Sequence, residues 1–425
     1  MGVIKSIFHY LSHVIKRTLF VLQHEGLQSV FVSTIRHYEK QKQSGFSAVF
    51  GKKTTKAPYS FILQADPGKP LPPLALSITP RKKLDIGWVI PDFGVGSGGH
   101  TTIFRIISFL EKFGHTNTIY LYSGLRESRY TTGQKMKEVI TKHFFPLKAE
   151  CFVGTEHMGK HDAAFATSWD TAYPVYASHA LGKFYFVQDN EPEFYATSSE
   201  KLFAENTYKL GLFCVTAGPW LAETMRSKYK AQADYFELAY DHTKYVPKPQ
   251  ITRNDNQICF YARYVTPRRG FELGVLSLQL LLKKRPDCKV VMYGWDVPEH
   301  LVPFPFENRS ILTHDELCTL YNESTIGLVF SLTNNSLVPY EMMGCKLPVV
   351  ELDHPSTRAI FSDREIACVQ PTPYAVAELL ERLLDSKEER TRLSEEAYKK
   401  VKKLSWEESA RQVERILQSY TPEES

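Results

Sequence analysis

The stretch LDIGWVIPDFGVGSGGHTTIFRIISFLEKFGH, residues 84–115, contains the pattern that decides the fold class. A short apolar run at 84–90 leads into a glycine-rich loop, and the loop leads into a segment whose apolar residues recur at helical spacing. A buried strand followed by a tight loop and an amphipathic helix is the first part of a βαβ unit. We therefore expect an α/β domain built around a parallel sheet.

This alternation of short apolar runs and amphipathic segments continues to about residue 240 and then starts again. In the first half it predicts strands at 84–90, 117–122, 162–167, 183–188 and 211–216, with helices near 100–113 and 218–229. In the second half it predicts strands at 258–263, 289–294, 326–331 and 347–352, with helices at 270–285, 314–322, from 339 and near 373–404. The polar stretch 240–257 between them is the best linker candidate. Two doubly wound domains predict a ligand site in the cleft between them, because ligands bind at the carboxyl ends of parallel strands.

The residues outside these two domains differ in composition. Residues 1–43 carry apolar residues at spacings of three and four, flanked by lysines and arginines, which predicts an amphipathic basic helix. This arm could pack on the protein or bind a membrane surface, and the sequence leaves both alternatives open. The predicted organisation is a helical arm (1–43), an extended connector (44–83), a first Rossmann-like domain (84–240), a second Rossmann-like domain (241–405) and a C-terminal helix (406–425).

Charge and cysteine content limit the cellular setting. The net charge of +5 arises at the N-terminal end, where the first 60 residues carry nine Lys and Arg against two Asp and Glu. We expect no nucleic-acid partner. Seven scattered cysteines without CxxC spacing argue against a zinc site or a disulfide framework. No apolar run reaches the roughly 18 residues of a membrane span. We therefore expect a cytoplasmic protein, with the arm as a route to peripheral contact with the inner face of the membrane.

The glycine-rich loop is the first candidate site. Gly98 and Gly99 would let the backbone approach a bound group closely, and the helix that begins near His100 would direct its N-terminal amides at an anion. The spacing is not the GxGxxG dinucleotide fingerprint, and no acidic residue closes the next strand as a ribose ligand. A simple tight turn, with His100 as a solvated cap, is the alternative.

The second candidate site is a group of three arginines. Arg263 ends a predicted strand, and Arg268 and Arg269 follow just before the next helix. Guanidinium groups at the carboxyl end of a parallel strand suit a diphosphate, which arginine can bind in bidentate fashion. Surface arginines in a loop are the alternative.

The third candidate site lies in SLVPYEMMGCKLPVVEL, residues 336–352. Ser336 can cap a helix, Pro339 suits the first turn, and Glu341 then lies where a carboxylate could accept hydrogen bonds from the two hydroxyls of a ribose. The alternative is that Glu341 is simply favoured by the helix dipole.

The first domain supplies candidates for the acceptor side of the cleft. Polar residues follow two of its predicted strands, and a tryptophan there could offer an aromatic face to a sugar. A solvated loop and a core tryptophan are the alternatives. The acceptor-side candidates are His100, Thr167, Trp169, Gln188, Asp189 and Glu191.

Taken together, these segments resemble the retaining nucleotide-sugar glycosyltransferases of family 4, which have the GT-B fold. The resemblance is closest to bacterial rhamnosyltransferases of S-layer and cell-wall glycans, and it spans most of residues 84–420. The matching segments are GSGGHTTIFRIISFLEKFGH (96–115), DAAFATSWDTAYPV (162–175), FYFVQDNEPEFY (184–195), ARYVTPRRGFEL (262–273), the run 311–353 and LSWEESARQVERIL (404–417).

The resemblance assigns roles residue by residue. The family's strand-end arginine falls on Arg263, and its diphosphate-binding lysine falls on Arg269, so the charge is kept while the side chain differs. The second glutamate of the family's paired motif falls on Glu341, and Thr333 stands in place of the first. The implied catalytic residues are Arg263, Arg269 and Glu341. The implied nucleotide-sugar contacts are Gly98, Gly99, Arg263, Arg268, Arg269, Gly294, Leu312, Ser336, Leu337 and Glu341.

The resemblance also implies an activity. We expect a retaining transferase that moves L-rhamnose from dTDP-rhamnose onto a growing glycan, with a lipid-linked acceptor as one option, and a helix at 406–425 that crosses back to the first domain. The missing glutamate at Thr333 suggests a pocket adapted to a 6-deoxy sugar. No DxD triplet occurs, so we expect no metal and no cofactor. The alternatives are a GDP- or UDP-linked donor, a nucleotide-sugar epimerase, a dinucleotide oxidoreductase and a glycan-binding protein without activity.

Overall fold

The structure is a computed structural model of the chain, and it describes residues 59–76, 83–124 and 128–420. The predicted arm, 1–43, and much of the predicted connector lie outside these ranges, so their assignments stay predictions. The described residues from Phe61 to Tyr420 form one compact unit that contains both sheets. In the described ranges no helix has the length and apolar character that crossing a membrane requires.

The first sheet has seven parallel strands in the order β3-β2-β1-β4-β5-β6-β7. The strands are β1 Asp85–Pro91, β2 Thr116–Tyr122, β3 Glu150–Val153, β4 Ala163–Ala166, β5 Gly182–Val187, β6 Phe213–Ala217 and β7 Ala233–Phe236. The helices between them are α1 Gly98–Lys112, α2 Gly133–His143, α3 Trp169–Ala177, α4 Ser199–Thr207 and α5 Pro219–Tyr229. The strand order reverses between β1 and β4, which is the switch point of a doubly wound sheet.

The central strands are apolar along most of their length because both faces of a parallel sheet are covered. In β1 the residues from Ile86 to Ile90 are all buried. Trp88 stacks on Phe165 of β4 with 4.3 Å between ring centroids, and its indole N–H donates to Asn117 Oδ1 at 2.9 Å. The core of the first domain thus lies directly beneath the loops that leave β1 and β4.

The second sheet has six parallel strands in the order β10-β9-β8-β11-β12-β13. The strands are β8 Gln257–Tyr261, β9 Lys289–Tyr293, β10 Glu307–Asn308, β11 Ile326–Leu328, β12 Val349–Leu352 and β13 Ala367–Val369. The helices are α6 Phe271–Lys284, α7 His314–Glu323, α8 Leu337–Gly344, α9 Pro355–Arg358, α10 Pro373–Asp385 and α11 Lys387–Val401. Here the switch point lies between β8 and β11. The predicted fold class, two doubly wound parallel domains, is confirmed.

The last helix, α12 Trp406–Tyr420, packs on the first domain. Its Glu414 lies 3.1 Å from His115 Nε2, and its Gln412 Oε1 accepts a hydrogen bond from the backbone N–H of Glu237. The guanidinium of Arg411 lies 3.4 Å from the ring centroid of Phe113. The chain therefore crosses between the domains twice, once after β7 and once between α11 and α12.

Some parts of the fold were not predicted. The strands β3, β7, β10 and β13 have four residues or fewer, which leaves little hydrophobic periodicity by which to recognise them. The polar stretch 240–257 does connect the domains without a helix or strand before β8, yet Tyr245 within it is 2% exposed. The connection thus contributes a buried side chain to the interior.

Candidate functional site

The carboxyl ends of the two sheets face each other. Asn334, in the loop after β11, donates from Nδ2 to the carbonyl oxygen of Gln188 at 2.9 Å and to that of Ala217 at 3.3 Å. Gln188 directly follows β5, and Ala217 ends β6. This side chain therefore links the second domain to the strand ends of the first, as expected for a ligand site placed between two switch points.

The three arginines gather where β8 ends. Arg263 donates from Nε to Thr266 Oγ1 at 3.0 Å, and its guanidinium lies 5.1 Å from the ring centroid of Trp295. Arg269 donates from Nη1 to Ser331 Oγ at 2.9 Å. Burial lowers the pKa of Arg268, repulsion from the guanidiniums of Arg269 and Arg263 lowers it further, and the attraction of Asp189 opposes both. The positive charges are close enough together to bind one polyanion.

Arg268 differs from its neighbours because it reaches the other domain. Its Nε lies 3.4 Å from Asp189 Oδ2, and its guanidinium lies 4.1 Å from the ring centroid of Phe194. Asp189 and Phe194 both belong to the first domain. Of the three predicted diphosphate contacts, Arg263 and Arg269 are therefore the two whose charge is not paired with a carboxylate across the cleft.

Asp189 brings a carboxylate to the position of the missing glutamate. The Thr333 side chain is hydrogen-bonded to Asp189. Burial raises the pKa of Asp189, while this hydrogen bond and the charges of Arg268 and Arg269 oppose the rise. The second domain lacks an acidic residue at 333, and the first domain places one beside it.

Glu341 lies on α8 and contacts residues that sequence reasoning missed. It is hydrogen-bonded to Tyr245, whose hydroxyl lies 2.8 Å from His314 Nδ1. Burial raises the pKa of Glu341 to about 8, although the Tyr245 hydrogen bond and the nearby charge of Arg105 act in the opposite direction. Tyr245 comes from the connection between the domains and His314 from α7, so no local spacing could have grouped them with Glu341.

The segment that leads into α8 carries buried polar atoms without partners. Neither the amide nitrogen nor the amide oxygen of Asn335 has a hydrogen-bond partner among the described residues, and the same holds for Ser336 Oγ. Ser336 occupies the N-cap position of α8 without making a side-chain cap. Unpaired buried polar groups are rare and call for an explanation, and a bound ligand would provide one. Ser336 was predicted from sequence, whereas Asn335 was missed.

The glycine-rich loop leads into α1 as predicted. A Cβ atom on Gly98 would meet open space, and one on Gly99 would lie 3.5 Å from the Gln188 side chain. The N-terminus of α1 is thus next to Gln188 on the side of the cleft.

His100 supports this loop from beneath. It is 8% exposed, and its Nε2 lies 3.1 Å from the carbonyl oxygen of Pro91, which can only accept. Nε2 therefore carries the proton, and Nδ1 accepts from Ser97 Oγ at 2.8 Å. Burial lowers the pKa of His100 to about 4, so the ring is neutral near pH 7. It is neither a solvated cap nor exposed to an acceptor.

Three further acceptor-side candidates are buried in the frame of the first domain. Thr167 donates from Oγ1 to the carbonyl oxygen of Val89 at 2.9 Å. Glu191 accepts from the backbone N–H of Trp169 at 2.9 Å and from the Tyr185 hydroxyl at 3.0 Å. Trp169 is 4% exposed. These contacts support the strand ends, and only Gln188 and Asp189 among the acceptor-side candidates make the contacts with the second domain described above.

The remaining donor-side candidates are a glycine and two leucines, which are described here by their backbone geometry and packing. Gly294 has φ +100°, and a Cβ there would lie 2.5 Å from the Tyr261 ring, so glycine is required after β9. Leu312 and Leu337 are partly buried and pack on the hydrophobic core. Within the described residues, no group of three or more His, Cys, Asp and Glu side chains is arranged to hold a metal ion, and all seven cysteines are free.

Comparison with known sequences finds one family model and one curated relative. Residues 256–381 match the family described as "WsaF, C-terminal domain". The O-antigen biosynthesis protein RfbC of Myxococcus xanthus is 33% identical over 262 residues, which make up 60% of this chain and 20% of that protein. The chain thus spans about a fifth of the length of this curated relative.

Comparison with solved structures covers both domains. HepE of Anabaena, in complex with UDP and glucose, matches 79% of this chain and 99% of its own with a TM-score of 0.62 and 11% identity. The chain has the GT-B glycosyltransferase fold. Sucrose-phosphate synthase of Thermosynechococcus elongatus matches 78% of this GT-B chain and 98% of its own, with a TM-score of 0.60 and 12% identity. The glycosyltransferase WaaG, involved in lipopolysaccharide biosynthesis, matches 78% and 99% at a TM-score of 0.56 and 13% identity.

At these identities the similarity to solved structures establishes the GT-B fold alone. The roles of the individual residues rest on their geometry. In this GT-B chain the geometry brings Arg263 and Arg269 together at the end of β8, places Asp189 across the cleft, and holds Glu341 on α8 beside Tyr245.

Proposed function

We propose that this chain is a glycosyltransferase that moves a sugar from a nucleotide-sugar donor onto a glycan during polysaccharide synthesis. The observation that carries the proposal is the group of guanidiniums at the switch point of the second GT-B domain, facing Asp189 of the first. A diphosphate fits this charge, and the first-domain side of the cleft is the place for the second substrate in this proposal.

The donor binds to the second domain in this proposal. Arg263 and Arg269 bind the diphosphate and stabilise the charge that builds on it as the sugar–phosphate bond breaks. The N-terminus of α8, with its free Ser336 hydroxyl, adds neutral donors to the same anion. Glu341 accepts hydrogen bonds from the ribose hydroxyls. With two guanidiniums and a helix terminus available, the leaving group can be stabilised without a metal.

The acceptor enters from the first domain. Asp189 brings a carboxylate to the predicted place of the transferred sugar, because it is hydrogen-bonded to Thr333 and interacts with the charges of Arg268 and Arg269. Burial raises the pKa of Asp189 and so favours acceptance of a hydroxyl proton, while the hydrogen bond to Thr333 and the ion pair with Arg268 hold the carboxylate in place. Substitution on the same face of the sugar, with retention of configuration, is the course that needs no enzymic nucleophile.

The finer assignment is transfer of L-rhamnose from dTDP-rhamnose, with a lipid-linked acceptor as one option. The resemblance of residues 84–420 to rhamnosyltransferases supports this donor, as does the match of residues 256–381 to the WsaF family. The main competing donor is UDP-linked, since HepE was solved with UDP-glucose. A nucleotide-sugar epimerase would turn over the donor in the absence of an acceptor.

Thermal unfolding of the full chain with dTDP, UDP and GDP tests the proposal. A ligand that binds only the folded state raises apparent stability by about RT ln(1 + [L]/Kd). We expect dTDP to give the largest rise in Tm and NAD to give none. A larger rise with UDP or GDP would remove the rhamnose assignment and leave the transferase proposal in place. If none of the three diphosphates changed Tm or bound in calorimetry, the transferase proposal itself would be wrong.

A further inference from the structure

A carboxyl group lies buried behind the arginines, outside the cleft. Glu351 belongs to β12, is 0% exposed, and is otherwise surrounded in its strand by Val349, Val350 and Leu352. Burying a carboxyl group costs free energy unless its polar atoms are paired. A ligand in the cleft cannot touch this side chain, so any effect of Glu351 on binding must pass through another residue.

The contacts of Glu351 lead directly to Arg269. Its Oε1 accepts from the backbone N–H of Ser331 at 2.9 Å and from that of Leu352 at 2.9 Å. The Ser331 side chain is also hydrogen-bonded to Glu351, and Ser331 Oγ accepts from Arg269 Nη1 at 2.9 Å. The series Glu351, Ser331, Arg269 thus joins the core of the second domain to the predicted diphosphate site.

We propose that Glu351 is a positioning residue which, through Ser331, fixes the guanidinium of Arg269 and tunes its attraction for the donor diphosphate. This inference rests on the proposed function, because it takes the anion at Arg269 to be a diphosphate. Glu351 does not touch the substrate. Its influence comes from holding Ser331 by backbone and side chain and from its charge near Arg269.

The geometry also assigns the position of the proton. Oε1 already accepts from two N–H groups, whereas Oε2 is buried and has no hydrogen-bond partner among the described residues. The acid form of Glu351 therefore carries its proton on Oε2. Burial raises the pKa of Glu351 to about 8, while its hydrogen bonds and Arg269 limit the rise.

Among the described residues, Arg269 and Cys368 are the titratable or charged groups that interact with Glu351 from neighbouring elements. Arg269 lies in the turn after β8, and Cys368 lies on β13. Below pH 8 a neutral Glu351 leaves the charge of Arg269 free for the diphosphate. Above pH 8 the ionised carboxylate attracts Arg269 and repels the diphosphate, so affinity falls as pH rises through this pKa and binding is accompanied by proton uptake.

Calorimetry on the full chain tests this inference, with dTDP and inorganic pyrophosphate as ligands. The parent and Glu351→Gln are compared at pH 7 and pH 9, each in two buffers with different ionisation enthalpies. Gln resembles the neutral acid in shape, so Kd at pH 7 should agree within about threefold. From pH 7 to pH 9 we expect the ligand affinity of the parent to fall about fivefold more than that of Glu351→Gln. The additional proton uptake on binding should be seen with the parent and not with Glu351→Gln.

Other groups with raised pKa values, such as Glu341, are present in both proteins and cancel in the comparison. Pyrophosphate lacks ribose, so the same difference should persist without any contact to Glu341. Ser331→Ala is the second variant, with folding checked by Tm. Ser331→Ala should weaken dTDP binding about fivefold at pH 7 and reduce the change in dTDP affinity between pH 7 and pH 9, because Arg269 loses its hydroxyl partner.

Failure of the inference about Glu351 can be distinguished from failure of the transferase proposal. If the parent binds dTDP and Glu351→Gln shows the same pH dependence and proton uptake, or if Ser331→Ala binds dTDP like the parent at both pH values, the inference about Glu351 is wrong and the transferase proposal stands. If Glu351→Gln does not fold, Ser331→Ala alone decides by the same criterion. If the parent binds neither dTDP, UDP, GDP nor pyrophosphate, the transferase proposal fails first.

Discussion

Adjacent arginines in the cleft have different partners. Arg268 and Arg269 share the short 3-10 turn Pro267–Arg269, which Gly270 ends in the left-handed region with φ 55°. The turn directs Arg268 to Asp189 of the first domain and Arg269 to Ser331 of the second. Side chains one residue apart therefore act on different domains, and they form a natural pair for a comparison by mutation.

Arg269→Ala should weaken dTDP binding by about 10- to 100-fold, because a hydrogen bond from a charged group contributes about 1.5–3 kcal/mol. Arg268→Ala is the matched control, with the same loss of charge one residue away. It should leave the dTDP Kd within about threefold, since its guanidinium is paired with Asp189 across the cleft. Isothermal titration of both variants gives the result. Equal losses of affinity would mean that bulk positive charge, and not the position of Arg269, binds the diphosphate.

Glu191 offers a test of a buried acid that supports the cleft without entering it. Burial raises its pKa from 4.5 to about 8, so the folded chain retains a proton that the unfolded chain releases. The stability from this proton is fully present below pH 4.5 and is lost as pH rises through 8. Relative to Glu191→Gln, the parent should therefore lose about 1 kcal/mol of unfolding free energy per pH unit between pH 5 and pH 8.

Urea unfolding of the parent and Glu191→Gln across this pH range measures the effect. Gln cannot accept both N–H and O–H donors as the carboxyl group does, which lowers its stability by a constant amount. The pH slope is therefore the informative quantity. Parallel stability curves for the two proteins would contradict a raised pKa for Glu191.

At the scale of elements, the site combines residues that are local in sequence with others that are not. Arg263 and Arg269 could be predicted because a strand end, a charge cluster and a helix start lie within a few residues of each other. Glu341 could be predicted for a similar reason, from a capping residue and a helix start. Tyr245 could not be predicted from the sequence. It lies in the polar connection 240–257 and reaches Glu341 through the packing of that connection against α7 and α8.

The same contrast separates the acceptor-side candidates that contact the second domain from those that are buried in the first. The strand ends were found, and so all six candidates lie near the cleft edge of the first sheet. Whether a side chain turns into the cleft or into the core depends on the helix that follows, and sequence spacing does not determine it. Thr167 turns inward and donates to the carbonyl oxygen of Val89, and the Trp169 indole N–H donates to the Tyr195 hydroxyl, whereas Asp189 turns towards the second domain.

Tyr245→Phe tests the contribution of the connection to the nucleoside end of the site. The Tyr245 hydrogen bond favours the ionised form of Glu341, so its loss should raise the pKa of Glu341 further and weaken its hold on ribose. We expect dTDP to bind about 3- to 10-fold less tightly, as for the loss of a neutral hydrogen bond. Pyrophosphate, which lacks ribose, should bind as before. A variant that weakened both ligands equally would remove Glu341 from ribose binding.

At the scale of the whole molecule, donor and acceptor residues belong to different domains that must meet for transfer. Asn334 connects them through the carbonyl oxygens of Gln188 and Ala217, and Arg268 adds a charged contact. The fold itself followed from the alternation of strands and helices, which is repeated often enough to identify both domains. The fit between the domains could not be predicted from this alternation, because it depends on single side chains such as Asn334.

Asn334→Ala should slow transfer while leaving donor binding largely intact. Loss of both hydrogen bonds misplaces the first domain relative to the donor, and small errors in the position of reacting groups can cost roughly 10-fold or more in rate. The proposed diphosphate and ribose contacts, Arg263, Arg269 and Glu341, all lie in the second domain, so the dTDP Kd should stay within about threefold. Steady-state transfer and calorimetry on the same preparation measure the two quantities. A fall in dTDP affinity as large as the fall in rate would show that Asn334 serves the donor site instead.

The return of α12 to the first domain has a mechanical consequence. Because the polypeptide passes between the domains at two separate places, after β7 and before α12, neither domain can swing freely about a single flexible tether. Relative movement is limited to bending about the line that joins the two crossings. If the cleft opens and closes, two crossings favour a single path, on which Asp189 and Thr333 would meet again at each closure.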